Sequence, residues 1–367
     1  VERKEFELKV IEKRKEATDA VTLKFKVPED LISKMKSKAG QFIGVTATID
    51  GESVHRSYSL SSGPDQSDLE ISIKKVPQGK MSTYLVERLA VGDTLKVVPP
   101  TGHFYKEHTA KRHHIMFAAG SGVTPMLSIL KFLKDVKPDE QASLFYWNQT
   151  TKSSMFLDDL LERSKDPKFN LFLGFTKEKP EMEEAVFFKR CDPTDLKDCF
   201  YKWSVSIDMP VFYLCGPEDF MDGIEFFLGT KGYDPSQIRR ESFNLAAAAE
   251  VIALKDERGD GPMYIGDRSQ LSNEEGGVCE AVLDGDVISV SPNKDETILE
   301  AFLRDGESPP YSCMEGTCIA CQCKVIEGLV EMPKDSFMTE EDINDGLILS
   351  CQAIIRSKKV KVDYDDY

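Results

Sequence analysis

At 367 residues, with 30% of them charged and a net charge of -16, the chain exceeds one ordinary core and suits two or three domains. Such an acidic surface repels phosphates and argues against a nucleic-acid partner. No stretch approaches the roughly 18 apolar residues that span a bilayer, and Val1-Glu2-Arg3-Lys4-Glu5-Phe6 has no apolar leader, so no membrane segment and a cytoplasmic location are expected.

Residues 6–98 read as short alternating strands, among them 20–27, 41–49, 57–60, 69–76 and 94–98, broken by Asp50-Gly51, Gly63-Pro64 and Pro99-Pro100. Strand after strand without helices predicts an antiparallel β-barrel over residues 1–108. Within it lie Arg56-Ser57-Tyr58-Ser59-Leu60-Ser61 and Gly79-Lys80-Met81-Ser82.

The pattern then changes. Apolar strands at 114–119, 143–147, 171–176 and 211–214 alternate with helical segments at 125–134, 155–163 and 218–228. This predicts an α/β domain with a parallel sheet over residues 109–243, a nucleotide-binding type of architecture. Its first strand runs into Ala118-Ala-Gly120-Ser121-Gly122-Val123-Thr124-Pro125-Met126. There Thr124 suits an N-cap, Pro125 the first helical position, and Gly120 and Gly122 the close approach of a ligand. Leu214-Cys215-Gly216-Pro217-Glu218 and Arg240-Glu241-Ser242-Phe243 close two later strands.

Residues 244–276 lack sustained periodicity and read as a linker. In 277–367 a hairpin around Asp284-Gly285 and a helix over 297–303 precede Cys313-Met-Glu-Gly-Thr-Cys318-Ile-Ala-Cys321, with Cys351 thirty residues on. Four cysteines could hold structural zinc, but C-x4-C-x2-C plus one distant cysteine is plant-type 2Fe-2S spacing. Cys313, Cys318, Cys321 and Cys351 are thus the metal ligands, Gly316 lets the loop wrap closely, and Cys323 is a spare thiol.

Arg56-Ser57-Tyr58-Ser59 resembles the flavin motif of the ferredoxin-NADP reductase superfamily. The segments at Gly120 to Pro125 and Cys215 to Pro217, then Glu241 to Phe243, follow in that superfamily's order. The resemblance implies that Arg56 neutralises the flavin phosphate, Tyr58 packs on the isoalloxazine ring, and Ser59 bonds near N5. Ser57 and Gly79 to Ser82 complete the flavin site. Gly120, Ser121, Gly122, Thr124, Pro125, Cys215, Gly216 and Pro217 would bind the nicotinamide nucleotide, with Glu241 and Phe243 approaching the flavin. Ser59, Thr124, Cys215 and Glu241 are the implied catalytic group.

With the ferredoxin at the C-terminus, expected as an α+β β-grasp domain, the domain order resembles one branch of oxygenase reductases. That branch includes the reductase component of ring-1,2-phenylacetyl-CoA epoxidase. It implies an NAD(P)H oxidoreductase that passes electrons through FAD and a 2Fe-2S cluster to an oxygenase. The acceptor could instead be a Rieske oxygenase, a hybrid-cluster protein or a desaturase, and FMN could replace FAD. Where several members carry Arg after Asn148 this chain has Gln149, so the lean to NADPH over NADH rests on Lys152. Glu315, where many members have a small residue, would tend to lower the cluster potential.

Overall fold

The structure, a computed structural model, describes every residue except 1–4, 65, 103, 109, 192–195, 197–208, 235, 236, 242, 244–261, 273–276, 284, 308, 312, 313, 315, 317–319, 334–337, 339, 366 and 367. The chain divides into two compact units, Glu5–Asn244 and Leu245–Tyr367.

The first unit begins with an antiparallel sheet. Its strands are β1 (Phe6–Ala17), β2 (Ala20–Lys26), β3 (Phe42–Ile49), β4 (Glu52–Ser59), β5 (Leu69–Lys74) and β6 (Thr94–Thr101), in the order β4-β3-β6-β1-β2-β5. The two edge strands meet through a bridge between Leu60 and Ile71, which closes the sheet toward a barrel and protects its edges. Alternation drives this. Leu8 and Val10 of β1 are fully buried while Glu7 and Lys9 face water. With Leu23, Phe25, Ile43, Val45, Ile71 and Val97 they form the barrel core, each side chain contributing about 1.5–3 kcal/mol by leaving water.

Between β5 and β6, α1 (Lys80–Thr83) runs directly into a π-helical turn, Tyr84–Arg88. The turn buries Leu85 against the barrel.

The second sheet of this unit comprises β7 (His113–Ala119), β8 (Gln141–Asn148), β9 (Phe169–Phe175), β10 (Ala185–Phe187), β11 (Pro210–Cys215) and β12 (Ile238–Glu241), all paired in parallel. Their order is β10-β9-β8-β7-β11-β12. Helices α2 (Val123–Val136), α3 (Leu157–Arg163) and α4 (Glu218–Thr230) connect its strands. Such a sheet is buried on both faces, so β7 and β11 read as nearly unbroken apolar runs. The chain steps outward from β7 through β8 to β10, then returns beside β7 as β11. The reversal makes a switch point at their C-terminal ends, where ligands of such sheets bind.

The second unit holds a five-stranded sheet built from β14 (Val278–Leu283), β15 (Asp286–Val290), β16 (Gln322–Glu327), β18 (Leu347–Leu349) and β20 (Lys359–Asp363). Their order is β15-β14-β20-β16-β18. Helix α5 (Ile298–Arg304) starts on a capping box in which Thr297 accepts from Glu300 N and Glu300 accepts from Thr297 N. The hairpin followed by a helix and a mixed sheet is the expected α+β arrangement.

The stretch expected as a linker contains structure. Residues Pro262–Gly266 form β13, antiparallel to β17 (Leu329–Pro333), which also pairs with β19 (Ile354–Ile355). The strand is short and its partner lies more than sixty residues away, so no local periodicity announces it. Residues 244–261 and 273–276 of that stretch lie outside the described residues.

Candidate functional site

The last residues of β4 carry the first group. Arg56, Ser57, Tyr58 and Ser59 pair with Val45, Gly44, Ile43 and Phe42 of β3. Strand alternation therefore sends Tyr58 and Arg56 to one face and Ser59 to the other. Arg56 and Ser57 are exposed, and the Arg56 guanidinium donates to the His55 carbonyl at 2.6 Å. The Tyr58 ring packs on the barrel core, and burial pushes its hydroxyl above the ordinary range, with Arg56 opposing the shift.

Gly79 stands at the N-terminal end of α1. Ser82 Oγ accepts from Val76 N at 3.1 Å, folding the turn back on itself. A Cβ at Gly79 would come within 2.5 Å of that oxygen. Met81 is buried, whereas Lys80 is exposed and paired with Glu52.

On the nucleotide sheet, Ala118, Cys215 and Glu241 lie level across β7, β11 and β12. They are one row at the C-terminal edge. Glu241 Oε2 accepts from Ser59 Oγ at 3.1 Å, a side-chain bond from the parallel sheet to the end of β4. Burial pushes the Glu241 carboxyl up to about 8, with the Ser59 bond opposing it.

The Gly120 turn differs from the sequence expectation. Gly120–Gly122 form a 3-10 turn, and α2 starts at Val123 with Gly122, not Thr124, in the capping position. The buried Thr124 donates from Oγ1 to the Ser121 carbonyl at 2.8 Å, and Pro125 falls in the first turn, also buried. Gly122 is required by protein, not ligand: a Cβ there would lie 2.0 Å from the Cys215 carbonyl oxygen. Gly120, at φ +58, faces open space. Gly216 is similarly enclosed by Phe220 and Ala119, and Pro217 precedes α4.

Lys152 is the exposed residue of the turn Thr151–Ser153. The barrel tethers that turn: Thr18 donates through N and Oγ1 to the Lys152 carbonyl, both at 3.0 Å, and Lys74 Nζ donates to the Ser153 carbonyl at 2.8 Å. Gln149 Oε1 accepts from Lys177 Nζ at 2.8 Å, so a lysine from the end of β9 reaches the position where a basic side chain was missing. Phe243 is 39% exposed.

Sequence reasoning passed over Asn148. Its side chain is buried at the end of β8, and among the described residues neither amide atom has a hydrogen bond; nor does buried Trp147 Nε1 beside it. Unmatched polar atoms at the C-terminal end of a parallel sheet strand suit a polar ligand. A lone asparagine ending the apolar run Leu144-Phe-Tyr-Trp147 was the available signal.

In the second unit Cys321 and Cys351 are both buried. Their backbones adjoin: the Cys321 carbonyl accepts from Ser350 N at 3.0 Å and Ser350 Oγ at 2.9 Å. Gln352 Nε2 lies 3.3 Å from the Met314 carbonyl and 3.8 Å from Cys351 Sγ, tying the cysteine loop to the closing cysteine. Gly316, at φ +72, passes over the Gln352 side chain. Cys313, Cys318 and Glu315 lie outside the described residues. Cys323 is fully buried in β16, where burial pushes its thiol well above the ordinary value.

The backbones of two buried cysteines adjoin in the second unit, a tyrosine ring and an exposed arginine lie near the end of β4, and unmatched amide atoms end β8.

Three family matches cover these regions: the oxidoreductase FAD-binding domain over residues 7–105, the oxidoreductase NAD-binding domain over 116–225, and the 2Fe-2S iron-sulfur cluster binding domain over 281–356. The chain is 31% identical to a component of the 1,2-phenylacetyl-CoA epoxidase of Escherichia coli, over 98% of this chain and 97% of that one. It is 29% identical to the ferredoxin reductase component of 3-ketosteroid-9-alpha-monooxygenase from Rhodococcus rhodochrous, over 95% and 94%. Phthalate dioxygenase reductase shares its fold, with a TM-score of 0.57 at 19% identity and 98% of each chain covered. Among the described residues no helix is long and apolar enough to cross a membrane.

Proposed function

We propose that this chain, which belongs to the family of FAD- and 2Fe-2S-dependent oxygenase reductases, supplies electrons from NAD(P)H to the oxygenase component of a phenylacetyl-CoA epoxidase-type complex. The specific acceptor rests on the 31% identity to the Escherichia coli protein. The observation that carries the redox reading is the Ser59 to Glu241 hydrogen bond beside Cys215, in a chain that also brings Cys321 and Cys351 together.

Bound FAD supplies a carrier that takes two electrons as hydride and gives them up singly, and a 2Fe-2S cluster accepts one at a time. The residues provide placement. Arg56 offers its charge to the flavin phosphate, Tyr58 its ring face, and the N-terminal end of α1 at Gly79, Lys80, Met81 and Ser82 its amides. Ser59 sets the hydroxyl that Glu241 holds.

For the dinucleotide, Gly120, Ser121 and Gly122 bring the β7 end close to β11, and Thr124 and Pro125 fix the start of α2. Cys215, Gly216 and Pro217 form the floor against which the nicotinamide orients. Lys152 would meet the 2'-phosphate of NADPH, and Phe243 would approach the flavin from the nicotinamide side. Burial raises the Glu241 carboxyl, which favours its neutral form, and in that form it can donate a hydrogen bond without placing a negative charge beside an incoming pair of electrons. Cys313, Cys318, Cys321 and Cys351 hold the cluster.

Anaerobic titration with NADPH and NADH, together with iron and flavin counts, tests the electron path. Flavin with two irons per chain, bleached by nucleotide, is the expected result. Coupled turnover with purified epoxidase oxygenase, against a Rieske oxygenase as comparison, tests the acceptor. Equal rates with both would remove the epoxidase assignment and leave the reductase.

A further inference from the structure

Helix α2 is fastened to the barrel by buried polar bonds that serve no ligand described above. Lys131 Nζ donates to the Ser61 carbonyl at 2.7 Å and lies 3.5 Å from Glu70 Oε2. One turn earlier, Ser128 Oγ donates to the Ser62 carbonyl at 2.8 Å and accepts from Gly40 N at 3.3 Å. From the other side β5 holds the same segment: Ser61 N donates to the Glu70 carbonyl at 2.9 Å and Glu70 N to Ser62 Oγ at 3.2 Å. The Lys131 and Glu70 side chains are only 18% and 11% exposed, so the ion pair is little screened.

These bonds close a circuit. Ser61 and Ser62 follow Ser59 after the single residue Leu60, and Ser59 bonds Glu241. Glu241 lies level with Cys215, whose carbonyl abuts Gly122. Gly122 caps α2, which carries Ser128 and Lys131 back to Ser61 and Ser62. Every link is a hydrogen bond, a strand register or a backbone contact. Where flavin and nicotinamide must meet, the Ser59 and Cys215 sides are therefore spaced by this closed set.

We propose that Lys131 and Ser128 are positioning residues for hydride transfer, setting the distance between the Ser59 end of the barrel and the Gly120 to Gly122 turn. This rests on the proposed function. In the step concerned, reduced nicotinamide loses a hydrogen with both bonding electrons to oxidised FAD and leaves as NAD(P)+. Neither residue touches a reacting atom. Misplacement of about 1 Å is enough to slow a positioned reaction by up to about a hundred-fold.

The test is stopped-flow reduction of the FAD-loaded holoenzyme by NADPH and by NADH. Lys131→Met and the milder Ser128→Ala are expected to slow flavin reduction on the order of ten-fold or more. Nucleotide dissociation constants, and the rate at which photochemically reduced flavin passes an electron to the cluster, should stay as in wild type. Lys131→Arg, which keeps the charge and the donor, should recover part of the rate. If wild type is reduced normally and both variants are reduced as fast, the inference falls alone. If rate, nucleotide affinity and thermal stability fall in proportion and arginine restores nothing, the clamp only holds the fold and the inference falls too. An FAD-loaded wild type that neither nucleotide reduces overturns the proposed function, and this inference with it.

Discussion

Gly122→Ala should separate the reaction from the rest of the molecule. Its Cβ would stand 2.0 Å from the Cys215 carbonyl oxygen, and ordinary contact begins at 3.4 Å. Turn and strand must therefore part by about 3.4 − 2.0 = 1.4 Å. The obstructing atom is backbone inside a parallel sheet, so no rotamer relieves it. Overpacking of this kind costs about 1–3 kcal/mol of stability, and a shift over 1 Å at the nicotinamide floor should slow flavin reduction on the order of a hundred-fold. Gly120→Ala is the control. Its φ of +58 carries only the conformational cost of about 1 kcal/mol, because a Cβ there meets nothing within 4 Å. Single-turnover reduction and urea unfolding measure both. Should Gly122→Ala reduce within about two-fold of wild type while Gly120→Ala does not, the close approach to Cys215 is not what orients the nucleotide.

Other outcomes follow from the same geometry. Burial pushes the Glu241 carboxyl from an ordinary 4.5 up to about 8, so between those values the native state favours the extra proton. In flavin-free protein its contribution is full below the ordinary pKa and is lost as pH rises to about 8. Glu241→Gln should flatten that slope in urea midpoints taken at low and high pH, and identical slopes would sink the assignment. Cys321→Ser and Cys351→Ser should each abolish the cluster's visible and EPR signals; Cys323→Ser, changing a buried thiol away from the ligand set, should keep both. Lys152→Ala should weaken NADPH roughly five-fold, the worth of one exposed charge contact, and leave NADH alone; equal weakening in equilibrium titrations would place the 2'-phosphate elsewhere.

Contiguous motifs were the legible part of this site. Tyr58-Ser59, Gly120 to Gly122 and Cys215-Gly216-Pro217 each sit where a strand ends; the Gly120 turn was readable from its own residues as a strand-to-helix junction, whereas the other two stood out only through the resemblance to the reductase superfamily. What each glycine is for was not legible, since the Cys215 carbonyl that excludes a Cβ at 122 belongs to a strand ninety residues away. Thr124 met the rule for a helix cap, but a preceding 3-10 turn moved the helix start and turned its hydroxyl back to Ser121. Lys131 and Ser128 fall inside the helical segment expected over 125–134, with nothing in the sequence to single them out. Only folding shows them bonded to carbonyls 70 and 66 residues away, joining two expected domains into one compact unit.

Strand β13 sets where an autonomous ferredoxin fragment can start. In the order β13-β17-β19 it covers one side of β17, and Gly266 sits so close to Gly328 that a Cβ would fall 2.2 Å from its carbonyl oxygen. A fragment begun at residue 277, just before β14, would leave the peptide groups of β17 on an open edge, ready to recruit a strand from another copy. One begun upstream of Pro262 brings its own cover. Solubility of the excised electron carrier, a property of manufacture more than of catalysis, is thus decided by five residues remote in sequence from any cysteine ligand.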